Sequence, residues 1–410
     1  MADHDVQIRV RMYRVGFGDC FLVSFLDARP AHVLVDCGVH VRGNVNTMEA
    51  VVANIREVTG GDLAVVIASH AHEDHIRGYG RHSDVFGQLR IGEVWMPWSE
   101  DPSDETAIEL RRKRAELALA LDAYNNLRGL SEAAVAALDN AAAVSRNVAA
   151  LDQLRAGFGT GATVKYLKGG DTIDEPGGVA GLSVRALGPP KDESFLKRLD
   201  PPSAERFLRL GPDGEPAEDG IQPFDDGWVR PQAPNVFSPG DLQRLSQVTA
   251  PPGEALAFTL DQGLNNTSLV LLFSYRGRRL LFPGDAQWGG WQSWLEKPEA
   301  AELLGTVDFV KIAHHGSENA TPRSALQGMS RGSLAAMVST QEVPWPSIPY
   351  KALYEAIEAQ TAHHVVRSDS LAVEGAPAGP PLAALPDGFA QGDLWFDYII
   401  DAGPRPTPDE

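Results

Sequence analysis

The sequence predicts an α/β protein in which helices cover layered sheets, and three observations predict it. Short apolar strands and one amphipathic helix alternate over the first 68 residues. The run Leu63–Ala68 is continuously apolar, as is typical of a strand that is covered on both faces. The same alternation of strands and helices returns after residue 268. Strand, helix, strand in this order indicates a layered α/β sheet.

The first elements follow from local patterns. Residues 8–12 alternate between apolar and polar side chains, and residues 21–26 and 32–35 are short apolar strands. A helix follows, for which Asn46 is the predicted N-cap and Gly60 the stop signal.

Two insertions are predicted to interrupt the fold. Residues 104–156, approximately, are rich in Ala, Leu, Arg and Glu and predict a helical hairpin. Residues 189–253 are dense in Pro, Gly and Asp and predict an irregular insertion or lid. We expect residues 1–372 to form one domain with both insertions, and residues 373–410 to form a C-terminal tether and an edge strand.

Composition narrows the classes of protein. The chain has 410 residues, a formal net charge of −19 and 43% hydrophobic residues, which is a globular composition. No apolar run is long enough to span a bilayer and the N-terminus lacks an apolar signal region, so we expect no membrane contact. Because only Cys20 and Cys37 occur, the sequence predicts no disulfide framework and favours a cytoplasmic location.

The acidic balance argues against a protein that coats nucleic acid through a uniform basic field. The net charge does not exclude a local basic groove. The basic run Arg111–Arg114 is interpreted as a solvated helix face, with a local phosphate-facing patch as the alternative.

The strongest chemical signal follows the buried strand directly. Residues 69–75 read Ser-His-Ala-His-Glu-Asp-His, an HxHxDH pattern. Imidazoles and a carboxylate are the ligands of zinc and related ions, and a turn at a strand end can direct alternate residues at two adjacent points. We expect His70 and His72 to hold one ion, and Asp74 and His75 the other.

Further ligands must come from distant strand ends. Asp285 follows a predicted strand in Phe-Pro-Gly-Asp, where the glycine permits close backbone approach and the carboxylate can bridge two cations. His314 follows the strand Val307–Ala313 directly and is preferred as a ligand over His315. Asp36, at the end of another strand, is a candidate to accept a hydrogen bond from a ligand imidazole and orient it, or alternatively to cap backbone amides.

These motifs resemble the metallo-β-lactamase superfamily and, within it, the soluble hydrolase domain of the ComEC family of competence proteins. The segments that carry the resemblance are Val15–Cys20, Val35–Gly38, His70–His75, Asn265–Leu271, Pro283–Asp285, Lys311–Ser317 and Val366–Asp369. The resemblance implies a four-layer αβ/βα sandwich with a di-metal site at one edge. It also implies that residues 1–372 are a hydrolase domain.

The chain departs from the superfamily at one ligand. Many members place a further histidine where this chain has Asn265 and Asn266, so an amide oxygen of one of them could complete the first metal site. Lys311, His315 and Ser317 are further candidates for ligand or substrate contacts near the cleft. ComEC proteins join this domain to a membrane channel that is missing here, so a role in DNA uptake does not transfer.

The function predicted from these residues is hydrolysis by a hydroxide activated between two metal ions, with Asp74 or Asp285 accepting a proton. Two zinc ions are expected, with manganese as the alternative. The branch resemblance favours a phosphodiesterase or nuclease acting on nucleic acid or a nucleotide. A hydrolase of a small lactone, lactam or thioester and a metal-poor binding or regulatory module stay open, and the sequence identifies no protein partner.

Overall fold

The computed structural model describes residues 6–43, 45–128, 147–207, 263–330, 333–342, 345, 347–370 and 384–403. Its strands are β1 Gln7–Tyr13, β2 Cys20–Leu26, β3 Ala31–Cys37, β4 Asp62–Ile67, β5 Arg90–Pro97, β6 Thr163–Leu167, β7 Thr172–Asp174, β8 Leu182–Gly188, β9 Val270–Tyr275, β10 Arg278–Phe282, β11 Phe309–Lys311, β12 Ala335–Val338, β13 Val365–Arg367, β14 Phe389–Gln391 and β15 Trp395–Asp401.

The strands form two sheets. The first has eight strands in the order β14-β15-β1-β2-β3-β4-β5-β6, and the second has seven in the order β13-β12-β11-β10-β9-β8-β7. Strands β3 to β6 run parallel to one another, as do strands β10 to β13. The carboxyl ends of parallel strands meet at one edge of a sheet, so the loops after β3, β4, β10 and β11 are available to build a site.

Helices cover the outer face of each sheet. They include α1 Met48–Thr59, α2 Glu73–Arg81, α3 Ser83–Phe86, α4 Glu105–Arg128, α5 Val148–Arg155, α6 Glu193–Leu196, α7 Trp288–Leu295, α8 Ala300–Leu304, α9 Arg323–Gly328 and α10 Lys351–Gln360. Within the described part of the chain, no helix is long and apolar enough to cross a bilayer.

Three buried clusters define four layers. Between the sheets, residues such as Val23 and Ile67 pack against Phe273 and Phe282. A second cluster joins the outer face of the first sheet to α1, α2 and α5, and a third joins the outer face of the second sheet to α7, α9 and α10. The mixed α/β architecture with two covered sheets confirms the predicted αβ/βα sandwich. Strand β4 contributes Val65 and Ile67 to the cluster between the sheets, and Leu63 and Val66 to the second cluster.

Two local predictions are wrong. The N-cap of α1 is Thr47, whose Oγ1 accepts a hydrogen bond from the Ala50 amide, whereas Asn46 donates to the Arg14 carbonyl. The C-terminal strand β15 is not at the sheet edge, because it pairs with β14 on one side and β1 on the other. It is therefore an integral strand of the first sheet.

The insertions are described in part. Helix α4 covers the first half of the predicted hairpin, and α5 lies at its end. Residues 129–146 lie outside the described chain, as do residues 208–253 of the second insertion and residues 373–383 of the predicted tether.

Candidate metal centre

The loop after β4 carries the histidine motif into the gap between the two sheets. His72 precedes α2, and Asp74 and His75 occupy the first turn of that helix. Nε2 of His70 lies 2.9 Å from Nδ1 of His72, and the His70 ring lies 4.1 Å from that of His75 between centroids. All four side chains are buried, so burial lowers the pKa of His72 to about 4 and keeps this imidazole neutral.

Four side chains from three loops converge beside this pair. Ligand atoms of Asp74, His75, Asp285 and His315 lie within 4.8 Å of one another. Asp74 Oδ2 is 3.0 Å from His315 Nε2, and Asp285 Oδ2 is 3.0 Å from His75 Nε2 and 3.5 Å from His315 Nε2. The two carboxylates and two imidazoles are separated by up to 241 residues in sequence, so the fold alone creates this arrangement.

Glycine permits the close approach of Asp285. Gly284 has φ +55°, and a Cβ added there would lie 2.9 Å from the Ser268 Cβ and 3.1 Å from the Ser69 Cβ. The Asp285 amide donates to Ser268 Oγ at 3.1 Å. A side chain at residue 284 would therefore push this carboxylate away from the histidine loop.

The outer nitrogens of both imidazoles are held by acceptors. His75 Nδ1 lies 2.8 Å from Asp36 Oδ2, and His315 Nδ1 lies 2.8 Å from the Ser339 carbonyl. Asp36 also accepts from the Ser69 amide and hydroxyl, each at 2.7 Å. Since a carbonyl and a carboxylate only accept, both Nδ1 atoms carry protons, and Nε2 is the nitrogen that each ring presents to the carboxylates.

This arrangement requires positive charge between the groups. Asp19, Asp36, Asp74 and Asp285 are all buried, and the buried Lys311 supplies a single compensating charge among the site residues. Burial lowers the pKa of His75, but Asp285 and Asp74 outweigh it and hold that pKa well above its usual value. Buried carboxylates that face the Nε2 atoms of two imidazoles are satisfied by protons on those nitrogens or by a divalent cation in their place, so the residues present fit a metal.

Lys311 is placed by β11 at the centre of this charge. Its Nζ donates to the Gly284 carbonyl at 2.9 Å and to Asp285 Oδ1 at 3.1 Å, and it forms an ion pair with Asp19 Oδ2. Burial lowers the pKa of Lys311, but the two carboxylates outweigh it and raise the pKa above its ordinary value. With Oδ1 taken by Lys311 and by the His314 amide at 3.1 Å, Asp285 directs Oδ2 at the imidazoles.

The position of His314 differs from the sequence expectation. His315, not His314, lies beside Asp74 and Asp285, because both residues adopt left-handed backbone at φ 43° and 55° in a tight turn over Ala313–Gly316. The His314 ring lies instead 3.3 Å from Asn265 Nδ2 and 3.5 Å from Gln287 Nε2, measured from its Nε2 and Nδ1.

The two asparagines and Ser317 differ in what they can offer. Asn266 Oδ1 accepts from the amides of Gln287 and Gly290 at the start of α7, and its Nδ2 donates to two carbonyls, so its amide is fully engaged. Asn265 Oδ1 is buried and accepts no hydrogen bond within the described chain, which leaves it as the amide candidate. Ser317 Oγ donates to the His314 carbonyl at 2.6 Å and stabilises the turn.

Sequence reasoning did not assign a role to Asp19 or Ser339. Asp19 ends the turn Gly16–Asp19 between β1 and β2, and its Oδ1 is buried without a hydrogen-bond partner in the described residues. The signal for Asp19 was its position in a glycine-bracketed turn at a strand end. Ser339 acts through its backbone carbonyl, for which no sequence signal exists.

Two comparisons relate the chain to known proteins. A model of the metallo-beta-lactamase superfamily matches residues 13–87. Among solved structures, the chain is similar to the metallo-beta-lactamase fold protein YhfI from Bacillus subtilis, with 10% identity, a TM-score of 0.38 and coverage of 88% of this chain and 96% of that chain. No curated protein matches the chain. The finer resemblance to ComEC stays a prediction. The matched segment contains the whole loop His70–His75, and the two-sheet sandwich is consistent with the αβ/βα fold of that superfamily.

Proposed function

We propose that this protein is a metal-dependent hydrolase that cleaves phosphodiester bonds in nucleic acid or a nucleotide. One observation carries the proposal: Asp74, His75, Asp285 and His315 converge from three loops at one edge of the sandwich, next to the pair His70 and His72. His75 and His315 both present Nε2, a metal-binding nitrogen, at 3.0 Å from one of these carboxylates.

The donor set divides into two groups. We assign His70 and His72 to one cation, with Asn265 as the amide candidate for the same ion, and Asp74, His75, Asp285 and His315 to the other. Zinc suits this imidazole-rich set, and manganese tolerates it when oxygen ligands are added. Divalent cations bound there would lower the pKa of water toward neutrality and polarise a phosphoryl oxygen.

The protein's own residues supply orientation and proton transfer. Asp36 and the Ser339 carbonyl fix the tautomers of His75 and His315. Lys311 holds Asp285 through one oxygen. Asp74 uses Oδ2 toward His315, while its Oδ1 is buried and makes no hydrogen bond within the described chain. We assign that oxygen to proton transfer, in which it would accept a proton from the attacking water.

The choice of a phosphodiester rests on the branch resemblance, together with the sequence motifs that carry it. The proposal is tested by measuring the metal content of the purified protein and its hydrolysis of three substrates: bis(p-nitrophenyl) phosphate, linear DNA and linear RNA. We expect bound metal and phosphodiester turnover, both lost in His315→Asn and both kept in His363→Asn, a matched change at an exposed histidine. Turnover of lactones or lactams without phosphodiester cleavage, or a metal-free protein that binds a partner, would contradict it.

A further inference from the structure

The basic run on α4 has two faces. Arg112 and Lys113 are exposed and pair with Glu109 on the same helix at 2.8 and 3.3 Å. Arg111 and Arg114 instead turn toward the body of the protein, where Arg111 donates to the carbonyls of Ser99 and Asp101 and Arg114 donates to the Gly263 carbonyl at 2.9 Å. Two of the four basic residues are therefore solvated, as the sequence predicts, and the other two are not.

A third guanidinium completes the inward cluster. Arg155, at the end of α5, donates from Nη2 to Glu100 Oε2 at 2.9 Å. Glu100 is 2% exposed, and Arg155, Arg111 and Arg114 all act on its charge. Three cations therefore share one buried carboxylate. Asp101 and Glu193 also act on their charge, and the exposed Asp152 lies 3.8 Å from Arg155.

Several donors of this cluster are buried and unused. Arg114 Nη1, Arg155 Nε and Ser99 Oγ make no hydrogen bond in the part of the chain that the structure describes. Burial lowers the pKa of Arg114 to about 10 because the guanidinium has lost water without gaining a full set of acceptors. Guanidinium donors without acceptors are what a phosphate oxygen requires.

The cluster lies on the same side of the fold as the metal centre. Strand β5 runs parallel to β4, so Trp98–Glu100 and the loop His70–His75 leave the first sheet at the same edge. Arg114 contacts Gly263, two residues before Asn265, which in turn contacts His314. Trp98, Ala107 and Leu196 pack together and fix α4 beside this edge.

We propose that Arg111, Arg114 and Arg155 bind a backbone phosphate of the nucleic-acid strand next to the one that is cleaved. This inference rests on the proposed function for its substrate class. The helical insertion would then bind the substrate strand at a second phosphate, which a substrate with a single phosphodiester does not have.

Binding of a fluorescent, phosphorothioate-linked 12-nucleotide single strand to the purified, metal-containing protein tests the proposal, with fluorescence anisotropy measured over a range of salt concentrations. We expect Arg111→Gln and Arg114→Gln each to weaken binding about tenfold and to lower the salt slope by about one. Arg112→Gln, on the same helix but on its exposed face, should bind as the wild type does. Hydrolysis of bis(p-nitrophenyl) phosphate, which carries one phosphate, should be unchanged in all three variants. Excess inorganic phosphate should compete with the strand more strongly in the wild type than in Arg114→Gln, in which only the metal centre is left to bind it.

The outcomes separate the two proposals. If the single-phosphate substrate is cleaved but Arg111→Gln and Arg114→Gln bind the strand no more weakly than Arg112→Gln, the phosphate site is refuted and the proposed function stands. If no phosphodiester is cleaved but the strand is bound through these arginines, the phosphate site stands and the proposed function fails. If Arg114→Gln lowers the unfolding midpoint, Arg111→Gln and Arg155→Gln decide the result instead.

Discussion

Replacing Lys311 with methionine should destabilise the metal-free protein strongly, because two buried carboxylates would lose their shared counter-ion. The Lys311, Asp19 and Asp285 side chains are each no more than 2% exposed. At 3.1 Å, the Nζ to Asp285 Oδ1 contact corresponds to about 5 kcal/mol of Coulomb attraction at an effective dielectric constant of about 20. Removing one partner of such a buried pair costs about 3–5 kcal/mol, and we expect a loss in this range.

Chemical denaturation after dialysis against a chelator measures this loss. Because Asp19 and Lys311 are in direct contact, the double variant Asp19→Asn with Lys311→Met should lose about 2 kcal/mol less than the sum of the single changes. Arg112→Met removes an exposed cation and should leave the free energy of unfolding almost unchanged. A Lys311→Met protein as stable as the wild type, or strictly additive losses, would refute the placement of this charge.

Three further changes test other parts of the structure. Asp74→Asn should lower bound metal and reduce turnover by a factor of at least about 100, whereas Asp62→Asn, 56% exposed at the start of β4, should change neither in metal analysis and steady-state assays. Asn266→Ala should lower the free energy of unfolding in urea by about 2 kcal/mol, because four hydrogen bonds to the backbone are lost. Asn265→Ala should instead reduce the amount of bound metal with little loss of stability. Equal losses of stability in the two variants would contradict this division. Burial lowers the pKa of His32 to about 4, so the folded protein binds fewer protons than the unfolded chain between about pH 6.5 and 4. Stability should therefore fall by about 2 kcal/mol as the pH is lowered through that interval, and His32→Gln should remove most of the loss in denaturation curves recorded at each pH.

Much of the layered architecture could be predicted from the sequence, because the burial of a strand or helix determines the spacing of its apolar residues. The apolar run at Leu63–Ala68 predicted a strand covered on both faces, and β4 is buried on both faces. Capping was harder to predict: Asn46 and Thr47 are both good caps by residue type, and only the backbone geometry selects Thr47.

The candidate site was predictable where a residue follows a strand and uncertain where a turn decides direction. Asp285 follows β10 and contacts His75. Choosing between His314 and His315 required the left-handed backbone angles of both residues, which the sequence does not encode in a readable pattern. Lys311 could not be distinguished from a strand-edge lysine, because its two carboxylate partners come from loops that are distant in sequence.

A crystal structure of the protein grown with zinc, with anomalous scattering recorded across the zinc edge, tests the metal centre most directly. We expect a zinc peak about 2.0–2.2 Å from Nε2 of His75 and His315 and from an oxygen of Asp74, with a second peak at His70 and His72. A map with no anomalous peak among these residues, or with zinc bound only elsewhere on the chain, would contradict the assignment.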